Sequence, residues 1–227
     1  MTLLASAISK ELTRDLEWRE AELALMRKDL IRTTKGSLHE QALLRANVAM
    51  LYAHYEGFCK FALGVYLEAL GKLRIQRKHL NWRLATFSMG ELKKELISKG
   101  DSAAFFSAFM DGFNTRLEEQ VTQFEQIPSI SNLWPDLLIE WLDRLALESN
   151  YIATEGTLLD SLVSARNQIA HGKKLTINSR EALDKYANVA ELAMHTVAVG
   201  IVDSIQKRTY LRHSIVHTIF NHAVQRT

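Results

Sequence analysis

The sequence predicts an all-α protein, an up-and-down helical bundle with additional helices. Two observations predict it. Only two prolines and ten glycines interrupt 227 residues. Long segments repeat apolar residues every three or four positions, the period of a helix face and not of a strand.

The elements follow in order. Leu4, Ile8, Leu12 and Leu16, then Leu23, Met26 and Leu30, place one apolar face on a first helix. After a loop at 33–36, Ser37-Leu38-His39-Glu40 has the serine-to-glutamate spacing of a capping box, which satisfies free amides at a helix start. The next helix, about 38–71, carries Ala42, Ala46, Ala49, Ala53, Gly57 and Gly64 on one side. Small residues there are expected to admit a close neighbour and make this the central helix. Gly57 costs about 1 kcal/mol against alanine in a helix interior. Ser88-Met89-Gly90-Glu91 is a second capping box, for a short helix ending near Gly100. A helix over about 103–126 should stop before Pro128. Trp134-Pro135 opens another, because proline suits a first helical turn. Residues 157–171 form a helix closed by Gly172. Asn178-Ser179-Arg180-Glu181 starts a long final segment with a break near Thr209. No repeat or linker divides the chain, so 1–227 reads as one domain, with about 72–102 as the candidate helical insertion. The tryptophans and the Phe105, Phe106, Phe109 cluster read as core.

Bulk properties narrow the function classes. A net charge of +2 places any basic surface locally. The single cysteine, Cys59, excludes an internal disulfide and a multi-cysteine zinc site, and fits a reducing cytoplasm. Lys10 and Glu11 interrupt the N-terminus before any signal-like apolar run, and no stretch approaches the roughly 18 apolar residues of a membrane span. No membrane partner is expected.

The chemistry concentrates at Ala165-Arg166-Asn167-Gln168-Ile169-Ala170-His171-Gly172-Lys173-Lys174. Leu158, Leu162, Ala165 and Ile169 form a core-facing stripe, with Asp160, Ser164, Asn167 and His171 well around the helix from it. Asn167 and His171 are four apart and share a face, and the longer Arg166 can curl toward them. Arginine holds phosphate and histidine moves a proton near neutral pH. A surface helix with a glycine cap looks the same, and the spacing alone is weak. With 15 arginines and 8 histidines, Arg-x4-His is expected about 0.5 times by chance. It occurs four times, at Arg166/His171, Arg74/His79, Arg208/His213 and Arg212/His217. Context separates them: only the first joins an apolar stripe, a polar second residue, small neighbours and a glycine stop. His213 and His217 have the spacing of a metal face, but no carboxylate or cysteine nearby completes a site.

The run Leu162 to Gly172 resembles the hallmark of the HEPN superfamily: arginine, a polar residue, a few more positions, then histidine near a helix end. Leu51-Tyr52-Ala53-His54-Tyr55-Glu56-Gly57-Phe58-Cys59-Lys60 is similar to the early helix of a HEPN-like nuclease branch from prokaryotic conflict systems. The resemblance implies a compact helical bundle that pairs as a homodimer and brings two motifs together. It implies a metal-independent endoribonuclease of toxin or phage-defence type, acting on RNA without a cofactor. Its regulator would be an antitoxin or a neighbouring-system protein. Carried over by position, Arg166, Asn167 and His171 are the catalytic set. Lys173 and Lys174 either add charge for the RNA backbone or are solvated helix-end lysines. Glu56 either pairs with Lys60 one turn on or orients Arg166 across the bundle. His54 projects elsewhere on that helix and reads as packed or surface. A non-catalytic helical dimer that binds RNA, a nucleotide or a protein is the alternative function, since superfamily members of both kinds exist. A structural bundle with an accidental motif is the third.

Overall fold

The computed structural model describes residues 1–90, 92, 94, 103–127, 132–174, 177 and 179–212. Among these residues the chain forms seven α-helices and one short 3-10 turn: α1 (Leu3–Ile31), α2 (Leu38–Lys72), the 3-10 turn Arg77–His79, α3 (Trp82–Phe87), α4 (Ala103–Glu118), α5 (Pro135–Arg144), α6 (Asn150–Ala170) and α7 (Arg180–Lys207). The all-α expectation is met.

α2 is the central helix, packed against α1, α6 and α7. Its Tyr52, Tyr55, Phe58 and Tyr66 are fully buried. Removing such a side chain from water contributes about 1.5–3 kcal/mol. The α1 stripe of Ile8, Leu12, Leu16, Leu23 and Leu30 is buried, as its period requires. The small-residue side of α2 behaves differently from expectation. Ala42, Ala46, Ala53 and Gly64 are exposed, and nothing lies within 4 Å of a Cβ built on Gly64. The bulky face of α2 packs against its neighbours instead, because aromatic and leucine side chains bury far more apolar area than alanines.

Arg180, at the start of α7, ties the α1–α2 corner together. Its Nε donates to Glu40 Oε1 at 2.6 Å, and its Nη2 donates to the Thr33 carbonyl at 3.0 Å. The capping box is real: Ser37 Oγ accepts the Glu40 amide at 3.0 Å, while Glu40 Oε2 accepts the Gly36 amide at 2.6 Å. The Gly36 amide and the Arg180 guanidinium hold the Glu40 carboxyl below its ordinary 4.5, against the opposing effect of burial. A depressed carboxyl stabilises the fold fully above the unfolded value, and that contribution disappears as pH falls through the folded one. The urea midpoint of the wild type should therefore exceed that of Glu40→Gln at pH 7. The gap should narrow at pH 3, and an equal gap at both pH values would contradict the assignment.

Two expectations about the middle of the chain need correction. α4 ends at Glu118, not near 126, and the described residues that follow, 119–127 and 132–134, form a non-helical strap. The Val121 amide donates to the Ile75 carbonyl at 2.9 Å, and the Arg77 amide donates to the Glu119 carbonyl at 3.1 Å. Val121 and Phe124 are buried. Pairing with 75–77 satisfies backbone groups that a longer helix would have satisfied itself. A Cβ on Gly71 would stand 2.8 Å from the Thr122 carbonyl oxygen, so glycine permits this close approach. Ser88 closes α3, and its Oγ accepts from Arg77 Nε at 3.0 Å. The helix expected from Ser88 to near Gly100 lies largely outside the described residues. Second, Trp141 is core, but Trp18, Trp82, Trp134 and Phe106 are exposed. Arg212 stacks on Trp82, its guanidinium carbon 3.4 Å from the ring centre.

α6 starts at Asn150, about two turns before the expected 157. Gly156 is accommodated inside it, its missing Cβ 3.8 Å from Pro135 Cβ, so a bare backbone faces α5. Ile152 anchors the early turn in the core. α7 ends at Lys207 with Arg208 in the left-handed region, close to the break expected near Thr209.

Candidate active site

The motif sits at the C-terminal end of α6. Leu162, Val163 and Ala165 are buried and fix the rotation of the helix, which leaves Arg166 and Asn167 half-buried and His171 exposed. The end is a Schellman motif: the Lys173 amide donates to the Gln168 carbonyl at 2.9 Å, and the Gly172 amide donates to the Ile169 carbonyl at 3.0 Å. Gly172 has φ of +69°, the left-handed conformation that glycine adopts without cost. His171 is the last, half-helical residue, its amide held by the Asn167 carbonyl at 3.0 Å. The residue is exposed, and among the described residues its imidazole has no hydrogen-bond partner. Lys173 and Lys174 follow, both exposed.

Arg166 is held in place. Its Nη1 donates to Asn132 Oδ1 at 2.7 Å and to Asn167 Oδ1 at 3.0 Å. Its guanidinium carbon lies 4.5 Å from the ring centre of Tyr52 on α2, a cation–π stack. Tyr52 is itself buried, and its hydroxyl accepts the Leu133 amide at 2.8 Å. Burial pushes the Tyr52 hydroxyl up to about 12, the Leu133 amide opposes this, and Glu56, which accepts its proton in a hydrogen bond, raises it further. The phenol therefore remains protonated at neutral pH. Glu56 Oε1 also receives Lys60 Nζ at 2.5 Å. Glu56 thus makes the local pair with Lys60, and among the described residues its link to Arg166 runs through Tyr52.

Sequence reasoning missed Tyr52 and Asn132. Tyr52 lay within the recognised α2 run, one turn before Glu56, and a buried tyrosine needs a partner for its hydroxyl. No signal marked Asn132, which comes from the strap. His54, read as packed or surface, is buried, with Nε2 2.8 Å from Glu22 Oε2 and Trp18 edge-on at 5.2 Å. Desolvation holds its pKa below the ordinary value despite Glu22, so it is a structural imidazole. The Arg74/His79 pair does not form a comparable tip. Arg74 is an exposed turn residue at φ of +49° beyond α2, with His79 in the 3-10 turn. His213 and His217 lie outside the described residues. No cluster of three or more metal-ligating side chains occurs among the described residues.

A groove of about 830 Å³ runs along α2 between Lys60 and Arg74, under Thr122 to Ile127. Its Lys60 and Lys72 are paired with Glu56 and Glu68, so it offers little uncompensated positive charge. The tip of α6 carries Arg166, Lys173 and Lys174, and neither lysine has a carboxylate partner among the described residues.

A HEPN family model matches residues 8–210, nearly the whole chain. The chain belongs to the HEPN superfamily. No curated protein and no solved structure matches it. The match runs from within α1 to just past α7, and so includes the strap as well as the motif helix of this HEPN protein. No helix among the described residues is long and apolar enough to cross a membrane.

Proposed function

We propose that this HEPN protein is a metal-independent endoribonuclease of toxin or phage-defence type, working as a homodimer with Arg166, Asn167 and His171 as its catalytic set. The observation that carries the reading is the tip of α6, where a held guanidinium stands one turn from an open imidazole.

RNA supplies its own nucleophile, the 2′-hydroxyl. One imidazole takes the 2′-hydroxyl proton as that oxygen bonds to phosphorus. Arg166 stabilises the charge on the phosphorane, and fork geometry suits it to two phosphate oxygens. The bond from phosphorus to the 5′-oxygen then breaks, and a protonated imidazole delivers a proton to that oxygen. The products are a 2′,3′-cyclic phosphate and a 5′-hydroxyl. A single His171 on one side of the phosphate cannot reach both oxygens of an in-line displacement. A second copy of the tip facing the first supplies the other imidazole, and Lys173 and Lys174 of each copy add charge for the backbone. Asn167, bonded to Arg166, orients the guanidinium. An antitoxin or neighbouring-system protein would restrain the activity by covering this face.

The test is incubation of purified protein with single-stranded RNA in excess chelator. Cleavage there supports the reading. RNA that is bound but left intact would transfer the assignment to a non-catalytic RNA-binding HEPN module.

A further inference from the structure

Arg166 closes a circuit of contacts that spans three parts of the chain. Its Nη1 bonds Asn132 on the strap; the next strap residue, Leu133, donates its amide to the Tyr52 hydroxyl; and the Tyr52 ring returns to the guanidinium face. Nη1 carries two protons, and Asn132 and Asn167 take both. Among the described residues Nε and Nη2 have no partner. That leaves the edge able to grip two oxygens of one phosphate side by side. An arginine free to rotate about its terminal torsions would lose this orientation at each binding event, at a cost in entropy.

Resting on the reading of Arg166 as the phosphate clamp, we propose that Asn132 and Tyr52 are positioning residues that lock the guanidinium with its Nε–Nη2 edge free for phosphate. Asn132 occupies the competing edge without adding charge, so the arginine stays fully cationic toward its ligand. Tyr52 supports the face of the guanidinium with its ring and fixes the strap with its hydroxyl. The strap is thereby part of the site. Its described contacts on α2 run from Gly71 to Tyr52, roughly 28 Å of helix.

The test is a double-mutant cycle on cleavage of a labelled single-stranded RNA, under single-turnover conditions and with circular dichroism on every variant. Asn132→Ala should lower the rate about 10- to 100-fold, as a small misplacement of a catalytic group does. Tyr52→Phe keeps the ring and loses the hydroxyl, and should fall in the same direction by less. In an Arg166→Ala background neither change should matter further. Equal fold-losses in the two backgrounds would overturn the proposal, since a merely structural role acts without Arg166. If the wild type leaves RNA intact, the ribonuclease reading fails separately, and the positioning role is read instead on the Arg166 Nε–Hε NMR signal, titrated with inorganic phosphate in the wild type and in Asn132→Ala. Phosphate should shift that signal in the wild type, with at least severalfold weaker affinity in Asn132→Ala. No shift in the wild type, or equal affinity in both, overturns the positioning role.

Discussion

His171→Ala is expected to lower RNA cleavage by about 10²- to 10⁴-fold, the range that a general acid–base group supplies. The expectation rests on place as well as on chemistry. The imidazole is exposed at the half-helical end of α6 and contributes nothing to the core. Its removal should leave thermal unfolding within about 0.5 kcal/mol of the wild type, the ordinary range for surface substitutions. Arg166→Ala differs. It removes the phosphate clamp, a loss of about 10²- to 10³-fold by analogy with other groups aimed at transition-state charge. It also strips the Asn132 oxygen of its guanidinium donor and the Tyr52 ring of its stacking partner, and so should lower stability measurably. Rate loss without stability loss for His171, and both for Arg166, is the expected pattern. Parallel stability losses for the two would place His171 in the core instead.

Mixing subunits gives the second large effect. A cleft that needs one imidazole from each copy is inactive when either copy lacks it. With wild-type subunits re-equilibrated against a tenfold excess of His171→Ala, random pairing leaves roughly a tenth of them facing another wild-type subunit. Activity per wild-type subunit should drop to that fraction. Activity that stays proportional to wild-type subunits, however many mutant chains are present, would mean that each tip works alone.

Much of the architecture is written in local periodicity. The stripe from Ile8 to Leu30, the Ser37–Glu40 cap and the Gly172 stop each declare themselves within one or two helical turns, and the structure places them as their chemistry requires. The strap is harder to read. Val121, Phe124 and Leu133 are buried by tertiary contacts outside any helix, the backbone at Glu119 and Val121 pairs with residues more than 40 positions away, and no short window carries that information. The small residues of α2 show the opposite failure. Their helical spacing is plain, but spacing alone does not say whether a face turns inward, and the larger residues took the inward side. At the site, Arg166, Asn167 and His171 are visible because they are close in sequence. The groups that hold Arg166 come from 34 and 114 positions away and become apparent only in three dimensions.

The measurement that bears most directly on this account is the chemistry of the RNA ends made in excess EDTA by the wild type, with His171→Ala as control. Ends carrying 2′,3′-cyclic phosphate and 5′-hydroxyl, lost in the variant, are the predicted result. Ends carrying 3′-hydroxyl and 5′-phosphate, or cleavage that persists without the imidazole, would contradict it.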